Sequence, residues 1–218
     1  MSLAGPAPTG PVVALEGAVV AHGGFPLLAG VTLELAPGTL TILRGPNGAG
    51  KTSLLRLLGG LEPLSGGRGV VAGVDLAHGD RRLLRRKVGW VGHEGSFYDD
   101  LTAEENLRFA ARALGRPGAA VGPALARVGL TARAATAARR LSAGQRRRLG
   151  VAWLLVRRAE LWLLDEPYAA LDDEGRELVG ELLVEARAAG VTIVASAHEA
   201  LAFDGDREVR LAGGRVVG

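Results

Sequence analysis

The fold class of this chain follows from residues 45–52, which read Gly45-Pro46-Asn47-Gly48-Ala49-Gly50-Lys51-Thr52. A short apolar stretch, Leu40–Leu43, comes before them, and the leucine-rich segment Lys51–Leu61 follows with apolar residues at helical spacing. Glycines allow such a loop to turn its backbone N–H groups inward, and the helix that follows adds the positive end of its dipole. A strand, a glycine-rich loop and a helix in this order predict a phosphate-binding loop in an α/β core.

Three side chains at the end of this loop have distinct expected roles on a bound nucleotide. We expect Lys51 to bridge the β- and γ-phosphates of ATP, Thr52 to ligate Mg²⁺ and Ser53 to reach the α-phosphate. A chance match to the pattern is the alternative, and the strand before the loop and the helix after it disfavour that alternative. The loop therefore predicts a nucleotide and Mg²⁺ as ligands.

A second candidate site segment is the apolar run Leu161–Leu164, which ends in Asp165 and Glu166. Such a run is typical of a buried parallel strand. Next to a phosphate loop, Asp165 is expected to hold Mg²⁺ through water, and Glu166 is expected to polarise the attacking water as the catalytic base. The alternative is a pair of acids that are simply solvated at a strand end.

One histidine follows another apolar strand. His198 comes shortly after Val191–Ala195 and directly before Glu199. A histidine at this strand end can reach a γ-phosphate and report its presence, which makes His198 a second candidate catalytic residue. The alternative is a lone histidine with a structural role.

A serine–glycine turn lies between the phosphate loop and the acidic strand end. It reads Leu141-Ser142-Ala143-Gly144-Gln145 and opens a helix. Ser142 is a suitable N-cap, and the N–H groups at such a helix start also bind anions, so the two roles are compatible. We interpret the turn as a second phosphate-binding surface that one chain does not use on its own ATP, and this interpretation predicts a dimer.

The remaining segments alternate between strands and helices. Residues 104–139 are rich in Ala, Leu and Arg, and breaks such as Gly115–Gly118 divide them into two or three helices. The other expected elements are strands at Val12–Ala21, Val31–Ala36, Val70–Val74, Val88–Val91 and Val191–Ala195, helices after Gly144 and at Asp173–Ala189, and a hairpin at Glu208–Val217. Alternating strands and helices predict a doubly wound α/β core.

Composition and charge limit the function classes. The chain has 218 residues, 48% of them apolar, and no cysteine, so it can bury one compact core but cannot form disulfides. The net charge is only +3, and therefore charge does not predict nucleic-acid binding. The arginine-rich stretches Arg81–Lys87 and Arg146–Arg148 lack interleaved aromatic residues and are interpreted as solvated helix faces. We expect no signal peptide in residues 1–11 and no membrane span, which needs roughly 20 apolar residues.

In the order of its motifs the chain resembles the nucleotide-binding subunits of ABC transporters. The resemblance runs from about Val12 onward and rests above all on the pairing of Leu141–Gln145 with Leu163–Pro167. It implies a single nucleotide-binding domain over residues 1–218, built as a P-loop NTPase core with an antiparallel β subdomain and a small helical subdomain at about residues 96–150. By position, Ala170-Leu171-Asp172 matches the D-loop and His198 the switch histidine.

The resemblance also implies a mechanism and a place in the cell. In a head-to-tail homodimer, each ATP lies between the phosphate loop of one subunit and the Ser142–Gln145 turn of the other. Closure on ATP and opening after hydrolysis drive an integral membrane permease. The subunit is then a peripheral protein at the cytoplasmic face of the membrane, and no nucleic-acid partner is expected.

Two positions depart from the general pattern of these subunits. The loop that usually carries glutamine reads Val91-Gly92-His93-Glu94-Gly95, so His93 stands at the glutamine position. The aromatic residue that usually stacks on adenine falls near position 22, where the chain has His22, and Phe25 is the nearest aromatic. Together with Leu101–Phe109 and Leu141–Arg148, the Gly-His pair is similar to one branch, the haem-exporter ATP-binding subunits of cytochrome c maturation.

Two other function classes remain as alternatives. A soluble ABC-type ATPase that acts on nucleic acid or ribosomes usually has two tandem cassettes or a long coiled-coil insert, and this chain has one cassette and no heptad array. A P-loop kinase or GTPase is disfavoured by the Leu141–Gln145 turn and by the absence of a base-reading Asn-Lys-x-Asp segment. Another ABC exporter or importer subunit is the alternative within the family.

Overall fold

The computed structural model describes residues 10–92, 97–197 and 205–217. Within these residues the strands are β1 (Val13–His22), β2 (Phe25–Leu35), β3 (Leu40–Arg44), β4 (Gly66–Val71), β5 (Val74–Asp75), β6 (Val88–Val91), β7 (Leu161–Asp165), β8 (Thr192–Ser196), β9 (Arg207–Ala212) and β10 (Arg215–Val216). The α-helices are α1 (Lys51–Leu58), α2 (Arg81–Lys87), α3 (Ala103–Ala113), α4 (Val121–Arg127), α5 (Ala143–Arg157) and α6 (Asp173–Ala188).

Six strands form the central sheet, in the order β10-β9-β3-β8-β7-β6. The five strands from β9 to β6 are parallel, and β10 is an antiparallel edge strand. Every residue of β7 and β8 is buried, as expected for strands covered on both faces. Because parallel strands end at the same edge of a sheet, the segments that follow β3, β7 and β8 meet there, and such an edge is where α/β folds bind their ligands.

Two apolar cores lie on opposite faces of the central sheet. Along β7, Trp162 and Leu164 belong to one core, whereas Leu161 and Leu163 belong to the other, because successive side chains of a strand point to opposite faces. The first core is completed by α3, α4, α5 and α6, and the second by α1 and the remaining sheet. The predicted α/β architecture with layers on both faces of a parallel sheet is confirmed.

A second sheet of antiparallel strands has the order β2-β1-β4-β5 and covers α1. It corresponds to the antiparallel β subdomain expected from the resemblance. Its strand β2 begins at Phe25, six residues earlier than the predicted start at Val31, because β1 pairs with it from His22 opposite Phe25 onward. Cross-strand pairing here overrides the local signals of Pro26 and Gly30.

Two other predicted boundaries differ from the structure because of backbone turns. The segment predicted as one strand at Val70–Val74 is divided between β4 and β5 by a turn at Ala72 and Gly73, which have φ angles of 49° and 76°. The helix predicted to end at Leu61 ends at Leu58. The predicted hairpin between β9 and β10 is confirmed, with its turn at residues 213–214.

Helices α3, α4 and α5 pack on one another and contribute buried residues to the first core. Helix α3 starts with a capping box, in which the Thr102 side chain accepts from the Glu105 N–H and the Glu105 side chain accepts from the Thr102 N–H. The predicted helical insert at residues 104–139 is confirmed as helical. None of the helices in the described residues combines the length and the apolar character that crossing a bilayer requires.

Candidate nucleotide-binding site

The phosphate-loop backbone is enclosed by the β9–β10 hairpin and by β2. Gly45 has a φ of +147°, and a Cβ on it would lie 2.2 Å from the carbonyl oxygen of Leu211, so only glycine fits here. The N–H of Gly214 donates to the Ala49 carbonyl at 3.0 Å, and the Gly214 carbonyl accepts from the N–H of Ala29 at 2.8 Å. Two segments that are remote in sequence therefore fix the curvature of the loop.

Lys51 lies inside the loop and is only 6% exposed. Its Nζ donates to the carbonyl oxygens of Gly45 at 2.7 Å and Pro46 at 3.0 Å. Helix α1 begins at Lys51, and within the described part of the chain no side chain caps it. The first N–H groups of α1 and the ammonium of Lys51 thus form a positive site at the carboxyl end of β3.

The carboxylate of Asp165 joins the first turn of α1 to the end of β8. It is 5% exposed and accepts two hydrogen bonds, from Thr52 Oγ1 to its Oδ2 at 2.8 Å and from Ser196 Oγ to its Oδ1 at 2.6 Å. The alternative interpretation, in which Asp165 and Glu166 are simply solvated at a strand end, therefore does not hold for Asp165. The structure brings together Thr52 and Asp165, the two side chains that the sequence selects as Mg²⁺ ligands.

Ser196 is a site residue that sequence reasoning missed. It is fully buried at the end of β8, directly opposite Asp165 in the register of the parallel pair β7/β8. Besides donating to Asp165, its hydroxyl accepts from the backbone N–H of Glu166 at 2.9 Å. The available signal was a small polar residue directly after the apolar run Ile193–Ala195, at the end of a predicted strand.

Glu166 has an unusual backbone conformation. Its φ is +53°, in the left-handed region that residues other than glycine seldom adopt. Such a conformation costs on the order of 1–3 kcal/mol and is found mostly at functional sites, where the surrounding structure enforces it. Glu166 follows the last residue of β7 and starts a tight turn, with the N–H of Ala169 donating to its carbonyl at 3.0 Å.

The three consecutive arginines of α5 have different environments. Arg146 pairs with Asp99 near the surface, whereas Arg147 is only 7% exposed. Arg147 Nη1 donates to the carbonyl oxygens of Gly92 at 3.0 Å and Asp165 at 3.1 Å. Burial lowers the pKa of its guanidinium, and the nearby acids of the β7 end oppose that shift. The prediction that Arg146–Arg148 is a solvated helix face is wrong for Arg147. Helix α2, by contrast, is largely exposed as predicted.

The Leu141–Gln145 turn begins α5 with a capping box. Ser142 Oγ accepts from the N–H of Gln145 at 3.2 Å, and Gln145 Oε1 accepts from the N–H of Ser142 at 3.0 Å. Leu141 is buried, whereas Ser142 and Ala143 are exposed, so one side of the turn faces solvent. The predicted N-cap is confirmed by these contacts, and the open side leaves room for an anion.

Gly144 is the point at which this turn contacts the segment after β7. A Cβ on Gly144 would lie 2.8 Å from the carbonyl oxygen of Ala170, which itself has a φ of +62°. Asp172, two residues later, caps α6 by accepting from the N–H of Gly175 at 2.9 Å. The close approach therefore requires glycine at position 144 and places residues 170–172 beside the start of α5.

Comparison with known proteins agrees with these features. The family model described as ABC transporter matches residues 28–169, well over half of the chain. The chain belongs to the ABC transporter family. It is an ATP-hydrolysing subunit of that family, since its relatives over most of its length are ATP-binding subunits and their fold is the ABC ATPase fold.

Among curated proteins, this ABC subunit is similar to the cytochrome c biogenesis ATP-binding export protein CcmA 2 of Cupriavidus metallidurans. The two are 43% identical over 188 residues, which cover 85% of this chain and 89% of that protein. The cytochrome c biogenesis ATP-binding export protein CcmA of Bradyrhizobium diazoefficiens is 40% identical over 196 residues, or 89% of this chain and 95% of that protein.

Among solved structures, the ABC subunit is similar to the dimeric post-hydrolysis state of the ATP-binding cassette MJ0796 bound to ADP and Pi. The TM-score is 0.87 at 26% identity, with 94% of this chain and 96% of that chain covered. A bacterial Atm1-family ABC exporter with ATP bound has a TM-score of 0.85 at 26% identity, with 98% of this chain and 39% of that chain covered.

The predicted adenine-contacting positions of the ABC subunit lie at one hairpin tip. His22 ends β1 and is paired with Phe25 at the start of β2. Both side chains are exposed, and Phe25 is 76% exposed. The same strand β2 continues to Leu27, whose carbonyl oxygen would lie 3.0 Å from a Cβ on Gly50 of the phosphate loop. One strand thus connects this hairpin tip with the back of the loop.

Two of the predicted site residues, His93 and His198, lie outside the described residues. The residues next to them are described. Gly92 ends its segment with a carbonyl bonded to Arg147, and Ala197 follows Ser196 with its N–H donating to the Leu43 carbonyl at 3.1 Å. Both histidines therefore follow segments that are anchored at the ligand-binding edge of the sheet.

Proposed function

We propose that this chain is the ATP-binding subunit of an exporter that serves cytochrome c biogenesis. The contact that carries the ATPase part of the proposal is the hydrogen bond between Thr52 and Asp165, with Glu166 next in the chain. The cargo part is supported by relatives named as cytochrome c biogenesis ATP-binding export proteins, which match almost their whole length. The histidine at position 93, where related subunits usually have glutamine, supports the same branch.

ATP binds with its phosphates in the loop formed by residues 45–50. Lys51 exchanges the carbonyl oxygens of Gly45 and Pro46 for the β- and γ-phosphate oxygens, because a phosphate carries more negative charge than a carbonyl. Ser53 reaches the α-phosphate, and the free N–H groups of α1 add to the positive field. The exposed pair His22 and Phe25 contacts the adenine ring.

The oxygen donors Thr52 Oγ1 and Asp165 Oδ2 suit Mg²⁺, which prefers hard oxygen ligands and keeps several waters. Thr52 holds the ion directly, and Asp165 holds it through water. When held by these two residues, Mg²⁺ would supply charge neutralisation at the phosphates. Because Ser196 already holds the other oxygen of Asp165, the carboxylate keeps its orientation when its bond to Thr52 is exchanged.

Glu166 is the residue that orients and polarises the attacking water. It follows Asp165 directly in the chain, and in this proposal its carboxylate lies at the γ-phosphate end of the same site. His198 follows β8 in the sequence, and its role in this proposal is to contact the γ-phosphate and report hydrolysis. Asp172 caps α6 and follows residues that contact the Leu141–Gln145 turn. Its role in this proposal is to link the phosphate loop side of the ATP site with the side formed by the turn.

The functional unit is a head-to-tail homodimer that closes on ATP. The solvent-facing side of the Ser142–Gln145 turn supports this arrangement, because helix N–H groups there can bind the γ-phosphate of a partner's ATP. The dimeric form of the related cassette MJ0796 supports it too. Residues 1–218 act as one nucleotide-binding domain, with a helical part at about 96–150, peripheral to the cytoplasmic face of the membrane and bound to an integral permease.

The test of the ATPase part is Glu166→Gln. We expect this variant to lose hydrolysis while it forms a stable ATP-bound dimer, because the amide cannot accept the proton of the attacking water but still fits the site. Size-exclusion chromatography with ATP and Mg²⁺, and a phosphate-release assay, measure the two properties. Hydrolysis at the wild-type rate in Glu166→Gln would remove Glu166 from this role.

The test of the cargo part uses the source organism. Deletion of the coding sequence should remove covalently attached haem from its c-type cytochromes, detected by haem staining of denatured membrane proteins. The wild-type chain should restore the stain, and Glu166→Gln should not. Normal c-type cytochromes after deletion would refute the cargo assignment and leave the ATPase assignment intact.

A further inference from the structure

The peptide group between Asp165 and Glu166 is held by side chains at both of its ends. Its carbonyl oxygen accepts from Arg147 Nη1 at 3.1 Å, and its N–H donates to Ser196 Oγ at 2.9 Å. Arg147 lies on α5 and Ser196 on β8, so two separate elements fix the plane of one peptide group. Both holding side chains are at least nine-tenths buried.

This peptide group determines where the side chain of Glu166 points. The φ angle of Glu166 is the rotation about the bond that leaves the held N–H, and it is fixed at +53° in the left-handed region. A residue with a Cβ relaxes from that region when its neighbours allow it. The two hydrogen bonds hold the peptide before Glu166, and the hydrogen bond from the Ala169 N–H to the Glu166 carbonyl at 3.0 Å holds the chain after it, so together they restrain Glu166 in this conformation.

Arg147 also connects Glu166 with the start of α5. It lies five residues after Ser142, the N-cap of the same helix, and the same Nη1 that holds the Asp165 carbonyl donates to the Gly92 carbonyl at 3.0 Å. One buried guanidinium thus connects three segments. Arg147 belongs to the helix that Ser142 caps, and it donates hydrogen bonds to Gly92 and to Asp165 at the end of β7. A shift of α5 along or around its axis moves Arg147. This movement changes the hydrogen bond from Arg147 to the Asp165 carbonyl and, through it, the peptide before Glu166.

The charge of Arg147 fits this location. The guanidinium is largely shielded from solvent, and the nearby carboxylates of Asp165 and Glu166 stabilise its charged form against the effect of burial. A neutral side chain of the same length would fill the space, but it would leave the carbonyl oxygens of Gly92 and Asp165 without this donor.

We propose that Arg147 and Ser196 are positioning residues that hold the Asp165–Glu166 peptide, and that Arg147 couples the Ser142–Gln145 turn to the orientation of Glu166. The proposal rests on the role of Glu166 proposed above. Engagement of the turn by a second copy's ATP then aligns Glu166 in the first copy. Loss of the hydrogen bond from Arg147 or of the hydrogen bond to Ser196 affects the hydrolytic step more than the binding of ATP.

The experiment compares Arg147→Met with Arg148→Met. Arg148 is on the next position of α5 and, within the part of the chain that the structure describes, makes one long hydrogen bond, to the Val128 carbonyl after α4 at 3.3 Å. We expect Arg147→Met to lower kcat about 10- to 100-fold with KM for ATP changed by less than about threefold, since a misplacement of about 1 Å costs this much. Arg148→Met should keep wild-type kcat and KM.

Conservative variants separate positioning from packing. Arg147→Lys keeps one donor and should recover part of the kcat that Arg147→Met loses. Ser196→Ala removes the acceptor for the Glu166 N–H together with the donor to Asp165 Oδ1, and it should lower kcat in the same range. Ser196→Thr keeps the hydroxyl and should restore kcat. Equal losses in Arg147→Met and Arg148→Met, or a rise in KM with unchanged kcat, would overturn the proposal.

Two further outcomes keep the test decisive. If Arg147→Met does not fold, as judged by its thermal unfolding curve, wild-type kcat in both Arg147→Lys and Ser196→Ala overturns the proposal. The variant Glu166→Gln is measured in parallel. If Glu166→Gln hydrolyses ATP normally, the underlying role of Glu166 is wrong; if it is inactive while Arg147→Met and Ser196→Ala have wild-type kcat, only the positioning proposal is wrong.

Discussion

Thr52 and Asp165 are 113 positions apart in the chain, yet Thr52 Oγ1 donates to Asp165 Oδ2 at 2.8 Å. The contact exists because α1 starts at the end of β3 while Asp165 ends β7, and both strands finish at the same edge of the central sheet. Only β8 lies between them, and Ser196 of β8 completes the network on the other carboxylate oxygen. The geometry of the site is thus a direct result of strand order.

The first prediction concerns the Thr52 hydroxyl. In Thr52→Val we expect ATP hydrolysis to fall about 100-fold or more, with a higher Mg²⁺ concentration needed for half-maximal rate, because one oxygen ligand is lost. A Mg²⁺ titration of the ATPase rate measures this. Thr41→Val is the matched control, since Thr41 is fully buried on β3 and its hydroxyl has no hydrogen-bond partner among the described residues. An unchanged Mg²⁺ requirement in Thr52→Val contradicts the assignment.

The second prediction separates capping from phosphate binding at Ser142. Ser142→Ala and Thr102→Ala each remove the N-cap of a helix with a capping box, so each should lower the free energy of unfolding by about 1 kcal/mol. Only Ser142→Ala should abolish hydrolysis, while the monomer keeps its affinity for ATP. Chemical denaturation, ATPase rate and nucleotide binding are measured on both. Collapse of ATP binding by the Ser142→Ala monomer would contradict the two-copy site.

The third prediction concerns the close approach at Gly45. In Gly45→Ala the new Cβ would lie 2.2 Å from the Leu211 carbonyl oxygen, so the β9–β10 hairpin must move. We expect the free energy of unfolding to fall by more than about 1–3 kcal/mol, the usual cost of overpacking. Gly48→Ala is the control, because Gly48 also has a positive φ but its Cβ meets nothing within 4 Å. Equal thermal stability of the two variants would show that the contact is not tight.

The fourth prediction is a pH effect at the start of α3. The N–H and then the hydroxyl of Thr102 donate to the Glu105 carboxylate and lower its pKa from the ordinary value of 4.5. A carboxyl group whose pKa is lower in the folded state stabilises the fold above its unfolded pKa, and this contribution is lost as the pH falls through the folded pKa. The stability advantage of wild type over Glu105→Gln should therefore shrink as the pH is lowered below about 4.5. A constant difference over that range contradicts the prediction.

The sequence predicted much of this site because its motifs follow strands at one sheet edge. The phosphate loop, the acidic end of β7 and the capped start of α5 were each identified from local patterns. The environment of Arg147 was not, because nearly every residue of α5 from Leu149 to Val156 is apolar or small. Such a helix has no single apolar face, so periodicity does not distinguish the inward arginine from its two neighbours.

Ser196 and the early start of β2 were missed for a different reason. Both depend on which strand lies alongside, and strand neighbours are set by tertiary contacts. Ser196 becomes a site residue only because β7 pairs with β8 in a register that places it opposite Asp165. Likewise, Phe25 joins a strand only because β1 offers His22 as its partner. Local propensity does not contain this information.

The pairing of β3 with β9 has a consequence for the synthesis of the protein. A ribosome releases β3 and the phosphate loop long before β9, which is the parallel neighbour of β3 and whose Leu211 contacts Gly45. Until residues 207–214 have emerged, the nascent chain has an unpaired edge at β3, and its loop lacks the hydrogen bond from Gly214 to Ala49. We therefore expect the phosphate loop to reach its final shape only after translation has passed this hairpin.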